Sequence, residues 1–354
     1  MATHREIKVW IDCRLYSNGK TGIGRLTNEL VEFYNWYLGT SSVGLLVASQ
    51  LKSNNTQLQT SLKPYRLLDF VKFPSFLKEN GIGLLHSPFY SALAFKSDRI
   101  TSIVTVPDVM YRLTPEFFSR YSIVNYGARK YFDLIVSRSI TNADTLISIS
   151  NTTRLSLHNW LGKDSLVIYP ADYSFAKSTD ACSALELATH GLTNNQYILY
   201  AGNARPHKNV DFLVQAHKKS ATNKVLVLVG SDFSEFNSDR IKSLGFVSDS
   251  LLSTLYKECH AVIFPSLSEG FGYPMLEASN IGKPIIASDI PTFRELNIAG
   301  VVYFNPRDVD SLVRVLNNQQ AFSSTSFDSH RFNKANFRQK HIDMFQRTNT
   351  SAHS

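Results

Sequence analysis

Residues Phe264 to Asp289 read FPSLSEGFGYPMLEASNIGKPIIASD, and this stretch decides the fold. The run Ala261–Phe264 has the length and apolar content of a buried strand. A loop with Gly270 and Gly272 follows, and Pro274 stands where a first helical turn tolerates a residue without an N–H. Gly282 is placed to close that helix, and Pro284 to Ala287 reads as the next strand. Strand, loop, helix and strand in this order make a βαβ unit of a parallel sheet. Such sheets bind ligands beyond the carboxyl ends of their strands, where a helix start offers amides and the positive end of its dipole. Glu269 in the loop and Glu277 in the helix bring carboxylates that accept hydrogen bonds from sugar and ribose hydroxyls. Acids near a helix start also complement its dipole, by about 0.3–1 kcal/mol each, but that role explains neither the glycines nor the PSLSEGFG context.

The same grammar recurs upstream. Tyr200 to Val210, YAGNARPHKNV, reads as strand, glycine turn and helix, with Arg205 and Lys208 placed to meet a diphosphate. A solvated basic helix start is the alternative for this segment taken alone. Further strands are expected at Tyr197–Ala201, Lys224–Val229, Leu244–Val247 and Val301–Phe304. In the first half they fall at Lys8–Asp12, Val43–Ala48, Gly83–His86, Ile103–Val106, Thr145–Ile149 and Leu166–Tyr169. Phe117, Tyr121, Val124, Ala128, Tyr131 and Ile135 step by three and four, which predicts one helix face. From Ala171 to Asn195 the period is lost and the sequence turns polar, as a linker would. The chain therefore reads as α/β, with Rossmann-like domains at 1–175 and 190–325 and a helix or tail at 326–354.

At 354 residues and 43% hydrophobic content the chain is long enough for two cored domains. Cys13, Cys182 and Cys259 lack metal or redox spacing, so reduced thiols are expected and neither disulfide nor zinc. The start, MATHREIKVWID, contains no signal-length apolar stretch, and no run approaches about 18 apolar residues. The expectation is a chain neither secreted by that route nor membrane-spanning. Net charge is +8, and Lys63 to Arg138 holds eleven basic against six acidic residues. Nucleic acid finds no supporting motif; anionic lipid headgroups or phosphorylated ligands fit the charge, as does a merely solvated surface. Asn18 to Arg25, NGKTGIGR, mimics a Walker A loop, but Arg14 stands where its first glycine belongs. Thr27 likewise breaks a dinucleotide fingerprint. What remains is a loop whose Gly22 and Gly24 amides face a phosphate or sugar, or else a tight strand-to-helix turn.

The chain resembles a family 4 glycosyltransferase of GT-B architecture in TGIGRLTNEL, VTVPDVMYRLTPEFF, ISISNTTRLSL, YAGNARPHKN, GFVSD and the E-x7-E segment from Glu269 to Glu277. The resemblance implies two Rossmann-like domains facing across a cleft, a nucleotide-sugar donor as substrate, and transfer with retention. It implies no cofactor and no required metal. By the same resemblance Lys208 and Arg205 hold the diphosphate, Glu269 the transferred sugar and Glu277 the ribose. Gly270, Phe271 and Gly272 then line the donor, and the Gly245-Phe246-Val247 turn lies near the base. Relatives carry His-Asp where this chain has Pro107-Asp108, which leaves Asp108 as the acceptor-side candidate. His86 either occupies nearby space or packs structurally. Mannose from GDP-mannose is the first expectation for the donor, and a glycan or lipid-linked glycan of bacterial surface polysaccharide for the acceptor. YRLLDFVKFPSFLKEN, Tyr65 to Asn80, either touches the inner face of the cytoplasmic membrane or packs on its sheet. A nucleotide-sugar epimerase and a non-catalytic sugar-nucleotide-binding subunit are the rival readings.

Overall fold

A computed structural model describes residues 8–16, 21–114, 117–118, 122–171, 184–318 and 322–351. The described residues form two compact units: 8–109, 122–171 and 329–351 in the first, 110–118 and 184–328 in the second. The linker expected over Ala171–Asn195 is described only in part, and there Ala184–Thr189 (α6) is helical. Asn18, Tyr121 and Cys182 lie outside the described residues.

In the first unit seven parallel strands are ordered β3-β2-β1-β4-β5-β6-β7. They are Val9–Asp12 (β1), Val43–Val47 (β2), Thr56–Gln59 (β3), Leu84–Ser87 (β4), Thr101–Val106 (β5), Thr145–Ser148 (β6) and Leu166–Val167 (β7). Strand order reverses between β1 and β4, the switch point of a Rossmann sheet. Trp10, Leu46, Phe73, Leu77, Leu85 and Leu93 pack as one cluster on the sheet. Phe73 and Leu77 come from Leu67–Glu79 (α2), so that helix does pack on the sheet by one face. The polar edge strand β3, TQLQ, has no apolar period to announce it.

The helix expected from the Phe117–Ile135 period is Ser122–Thr141 (α4), and its stepped residues are divided between solvent and core. Phe117 precedes it, Val124 and Tyr131 are exposed, and the buried residues are Asn125, Ile135, Val136, Ser139 and Ile140. Ile135 of the stepped set lies on the inner face with Val136 and Ile140, and two polar residues share that face; Ser139, for instance, accepts from the Ala92 amide at 2.9 Å. The C-terminal residues return to the first unit as Lys334–Ser351 (α12). Phe337 meets Phe33 of Gly22–Leu38 (α1) edge-on at 6.3 Å.

The second unit carries six parallel strands ordered β10-β9-β8-β11-β12-β13. They are Tyr197–Ala201 (β8), Val225–Val229 (β9), Ile241–Gly245 (β10), Ala261–Phe264 (β11), Ile285–Ser288 (β12) and Val302–Phe304 (β13). Ile198, Leu226, Leu228, Ile263 and Ile286 fill the core with Leu213 of Val210–Lys219 (α7). β10 begins three residues before the expected strand and ends at Gly245, because Ser243 carries its amide side toward Asn237 and the ladder bulges there. Each unit thus has Rossmann strand order, and together they give the GT-B fold class. Among the described residues no helix is long and apolar enough to cross a membrane.

Candidate active site

β8 and β11 are neighbours at the switch point of the second sheet, so the loops leaving their carboxyl ends share one edge. The β8 loop passes through a 3-10 turn, Pro206–Lys208, and reaches α7 through Asn209 at φ 60°. Asn209 ties this loop to its neighbour by donating to the Pro265 and Pro306 carbonyls at 3.2 and 3.0 Å. The Leu267 amide donates to the His207 carbonyl at 2.8 Å. The two expected motifs are therefore laced together by the Asn209 side chain and by backbone before any ligand arrives.

That lacing brings Lys208 Nζ to 2.6 Å from Glu269 Oε1. Ser266 Oγ donates to the same oxygen at 2.7 Å, and Thr292 Oγ1 donates to the Glu269 carbonyl at 2.9 Å. Burial alone would raise the Glu269 carboxyl, but the Lys208 charge and the hydrogen bonds from Lys208 and Ser266 outweigh it, and its pKa lies below the ordinary 4.5. Lys208, Ser266, Glu269, Gly272 and Pro274 line a pocket with Tyr200 at its wall. Ser266 and Thr292 escaped the sequence reading. Ser266 stands three residues before Glu269 in the loop, a spacing that would have pointed to it; Thr292 has no local signal.

Gly272 caps Tyr273–Asn280 (α9) at φ 106°, with the position of a Cβ 3.1 Å from Leu296 Cδ1, so only glycine suits this start. Pro274 falls in the first turn of α9. Phe271 is 3% exposed and meets Tyr273 edge-on at 5.1 Å, so its side chain packs and only its backbone can face a ligand. Gly270 is buried beside it. Glu277 is 3% exposed in the body of α9. Arg205 is exposed, and its guanidinium makes no ion pair or hydrogen bond among the described residues. Val247 is half-buried in the turn between β10 and Asp249–Glu258 (α8), with Phe246 85% exposed beside it.

Three expectations fall in the first unit. The Gly24 amide donates to Thr21 Oγ1 at 3.0 Å, so the N-cap of α1 consumes it; this corrects Gly24 as an anion donor, while Gly22 is exposed at the helix start. His86 is a packed histidine: its Nδ1 pairs with Tyr34 Oη at 2.9 Å and its Nε2 with Thr105 Oγ1 at 2.8 Å. Burial, helped by His341, pushes its pKa well below 6.5. Asp108 is half-buried in the loop after β5. Its charge reaches Tyr65, whose hydroxyl is pushed up by burial first and then by Asp108 and Asp12, with Arg14 opposing. The sequence reading also passed over a buried pair at the end of β1, where Arg14 Nε and Nη2 donate to Asp12 at 2.9 and 2.7 Å.

His207, between Arg205 and Lys208, is 3% exposed and stacks on Phe117 at 5.9 Å and 20°. Its Nδ1 has no hydrogen-bond partner among the described residues. Its pKa falls from 6.5 to about 4, through burial first, then Lys208, with Glu269 opposing and Arg205 adding. The folded protein thus holds it neutral while the unfolded chain protonates below 6.5, so its stabilisation is full above that pH and is lost as pH falls toward 4. His207→Phe keeps the stack and removes the titration. Urea midpoints are expected to drop less between these two pH values in this variant than in the wild type; equal drops would refute the assignment.

The Glycosyl transferases group 1 family matches residues 187–319, the part of the chain that holds both loops. The chain is 26% identical to the O-antigen chain mannosyltransferase RfbU of Salmonella typhimurium over 61% of its own length and 60% of the relative's. It is also 26% identical to O-antigen chain mannosyltransferase B of Escherichia coli, over 82% of this chain and 85% of that one. The solved structure of Anabaena HepE in complex with UDP and glucose superposes with a TM-score of 0.71 at 16% identity, covering 96% of this chain and 99% of that one. Fold, paired loops and family match agree: the chain has the GT-B fold, its residues 187–319 match the Glycosyl transferases group 1 family, and it resembles bacterial O-antigen mannosyltransferases.

Proposed function

We propose that the chain transfers a hexose, with retention of anomeric configuration, from a nucleotide sugar to a glycan or lipid-linked glycan of a bacterial surface polysaccharide. Mannose from GDP-mannose is the donor we favour, on the likeness to two O-antigen mannosyltransferases. The observation that carries the reading is the Lys208–Glu269 pair, held at the strand switch point beside the amino end of α9. An entering diphosphate exchanges Lys208 from Glu269 to its own oxygens, and Arg205 folds over it from solvent. Glu269, released from the cation, accepts from the sugar hydroxyls.

The reaction breaks the anomeric C–O bond to the diphosphate and forms one to the acceptor oxygen on the same face, while the acceptor proton passes to the departing phosphate oxygen. Negative charge grows on that phosphate in the transition state, where Lys208, Arg205 and the α9 amino end stabilise it. Asp108 faces the acceptor in this reading. Glu277 takes the ribose hydroxyls, and its 3% exposure means that donor binding must open a path to it.

A thermal-shift series with GDP, UDP, dTDP and ADP, and with their sugar conjugates, tests the proposal. A ligand at about 100 times its Kd adds about 2.7 kcal/mol to the folded state. The expected result is a rise with GDP and GDP-mannose only. A rise confined to UDP- or dTDP-sugars would overturn the donor, and no rise with any nucleotide would overturn the site.

A further inference from the structure

The first unit has a cavity of about 290 Å³ at the end of its sheet opposite the switch-point loops. Thr101 begins β5, Thr145 begins β6 and Leu166 begins β7, so the cavity lies at the amino ends of three neighbouring strands. β5 runs six residues, about 20 Å, before the loop that carries Asp108 at its other end. Helix α12 closes the cavity with Met344, Arg347 and Thr348. Every lining residue belongs to the first unit, and the proposed transfer uses none of them.

The lining offers acceptors, donors and an apolar wall together. Asp144 Oδ1 lies 3.3 Å from Lys96 Nζ and Oδ2 accepts from the Ser102 amide at 2.9 Å, which leaves about half of the four acceptor positions of a carboxylate open. Thr348 gives its hydroxyl hydrogen to the Met344 carbonyl at 3.0 Å, so Thr145 is the donor in their 3.1 Å contact. The Thr145 oxygen therefore keeps lone pairs for a donor from outside. Arg347 and Thr101 bring N–H and O–H groups, and Leu166, 38% exposed, forms the apolar wall with Met344.

A sugar ring matches this set. Its hydroxyls both donate, to Asp144 and Thr145, and accept, from Arg347 and Thr101, while its C–H face meets Leu166 and Met344. A phosphate would bring acceptors to a place that already holds them and would meet the Asp144 charge. A nucleobase finds no aromatic side chain in the lining. The volume stands at the lower end of the roughly 300–1,000 Å³ of small-molecule pockets, which suits one ring better than a nucleotide.

We propose that this cavity binds one sugar residue of a glycan, as a holding site separate from the reacting centre. That the glycan is the acceptor chain rests on the transfer reading above; the fit of a sugar to the cavity does not. A glycan held both here and at the carboxyl end of the same sheet stays on the protein between additions, because the second contact is made at high effective concentration.

The sequence has four methionines, Met1, Met110, Met275 and Met344. Met344 lines this cavity, and Met275 lines the pocket that holds Lys208 and Glu269, so isotope-labelled methionine methyl groups report the two sites separately by NMR on the full chain. Met344→Leu and Met275→Leu assign the two signals. Methyl α-mannoside is expected to move the Met344 signal to saturation without moving Met275, and GDP to do the reverse. Asp144→Asn, whose amide oxygen still accepts from Ser102, is expected to weaken the mannoside by about tenfold or more. Leu166→Trp, which fills the cavity from its mouth, is expected to abolish the response. Both variants should keep the wild-type melting temperature and the Met275 response to GDP. A Met344 signal that ignores the mannoside, or wild-type affinity in both variants, would overturn the holding site. Equal movement with inorganic phosphate at matched ionic strength would mean an anion site and overturn it as well. A Met275 signal that ignores every nucleotide counts against the transfer reading alone and leaves a responding Met344 as support for the cavity.

Discussion

In Lys208→Ala, turnover is expected to fall by about 100- to 1,000-fold, the effect of removing one preorganised group that stabilises charge grown in a transition state. Lys208 has two jobs in the proposed reaction. In the free protein it neutralises Glu269 at 2.6 Å, and with donor bound it meets the diphosphate. The alanine variant loses both, and pH separates them. In the wild type the Glu269 carboxyl lies below its ordinary 4.5, so the pair's stabilisation is complete above that pH and is lost as pH falls through the lowered folded value. Without Lys208 burial is left as the leading influence, and the carboxyl moves above 4.5. The sign then reverses: Glu269 favours the folded state below 4.5 and loses that contribution as pH rises through the raised value. Single-turnover rates at saturating donor, read beside stability against pH, test this. A near-normal rate would remove Lys208 from the leaving group even if the stability curve shifts as expected. A lost rate with an unchanged curve would mean that the resting ion pair matters little.

The two-loop site was legible in sequence because its residues sit on backbone punctuation. Gly272, Pro274 and Gly282 mark a loop, a helix start and a helix end whose conformations few residues can adopt, and Glu269 is fixed by its place among them. Lys208 and Glu269 are 61 residues apart, yet their meeting follows once both loops are seen to leave neighbouring strands of a parallel sheet. What failed to show depended on tertiary choices. β3 is a polar edge strand recognised only through its ladder to β2. α4 turns Val124 and Tyr131 of its apolar period to solvent and buries Ile135, a split that no period can distinguish from a fully core-facing helix. Gly24 was expected to offer an amide that Thr21, three residues earlier, already holds. His86 is placed by Tyr34 and Thr105, each from a different element.

The largest stability loss is expected at a pair that carries no sequence signature. Asp12 ends β1, and its carboxylate is 0% exposed; the Arg14 side chain is 2% exposed. The guanidinium makes a bidentate contact with Asp12, donates from Nη2 to the Ser91 carbonyl at 3.0 Å and from Nη1 to the Leu62 carbonyl at 3.3 Å, and lies 3.7 Å over the Phe73 ring. It thereby fastens the loop after β1 to the chain that follows β3 and β4, at the switch point of the first sheet. Asp12→Ala leaves a permanent charge in that enclosure with two carbonyls and a ring, and breaking a buried pair from one side costs about 3–5 kcal/mol. For a unit of this size that corresponds to a fall of roughly 6–20 °C in melting temperature. Asp12→Ala/Arg14→Met removes both charges and returns an apolar chain to the Phe73 ring, so the double variant is expected to recover most of the loss. Calorimetric scans of the wild type and the two variants decide the matter. If the double variant melts as low as the single one, the pair acts through its hydrogen bonds to Ser91 and Leu62. If Asp12→Ala melts with the wild type, the guanidinium has found water, and the loop after β1 is held by something other than this contact.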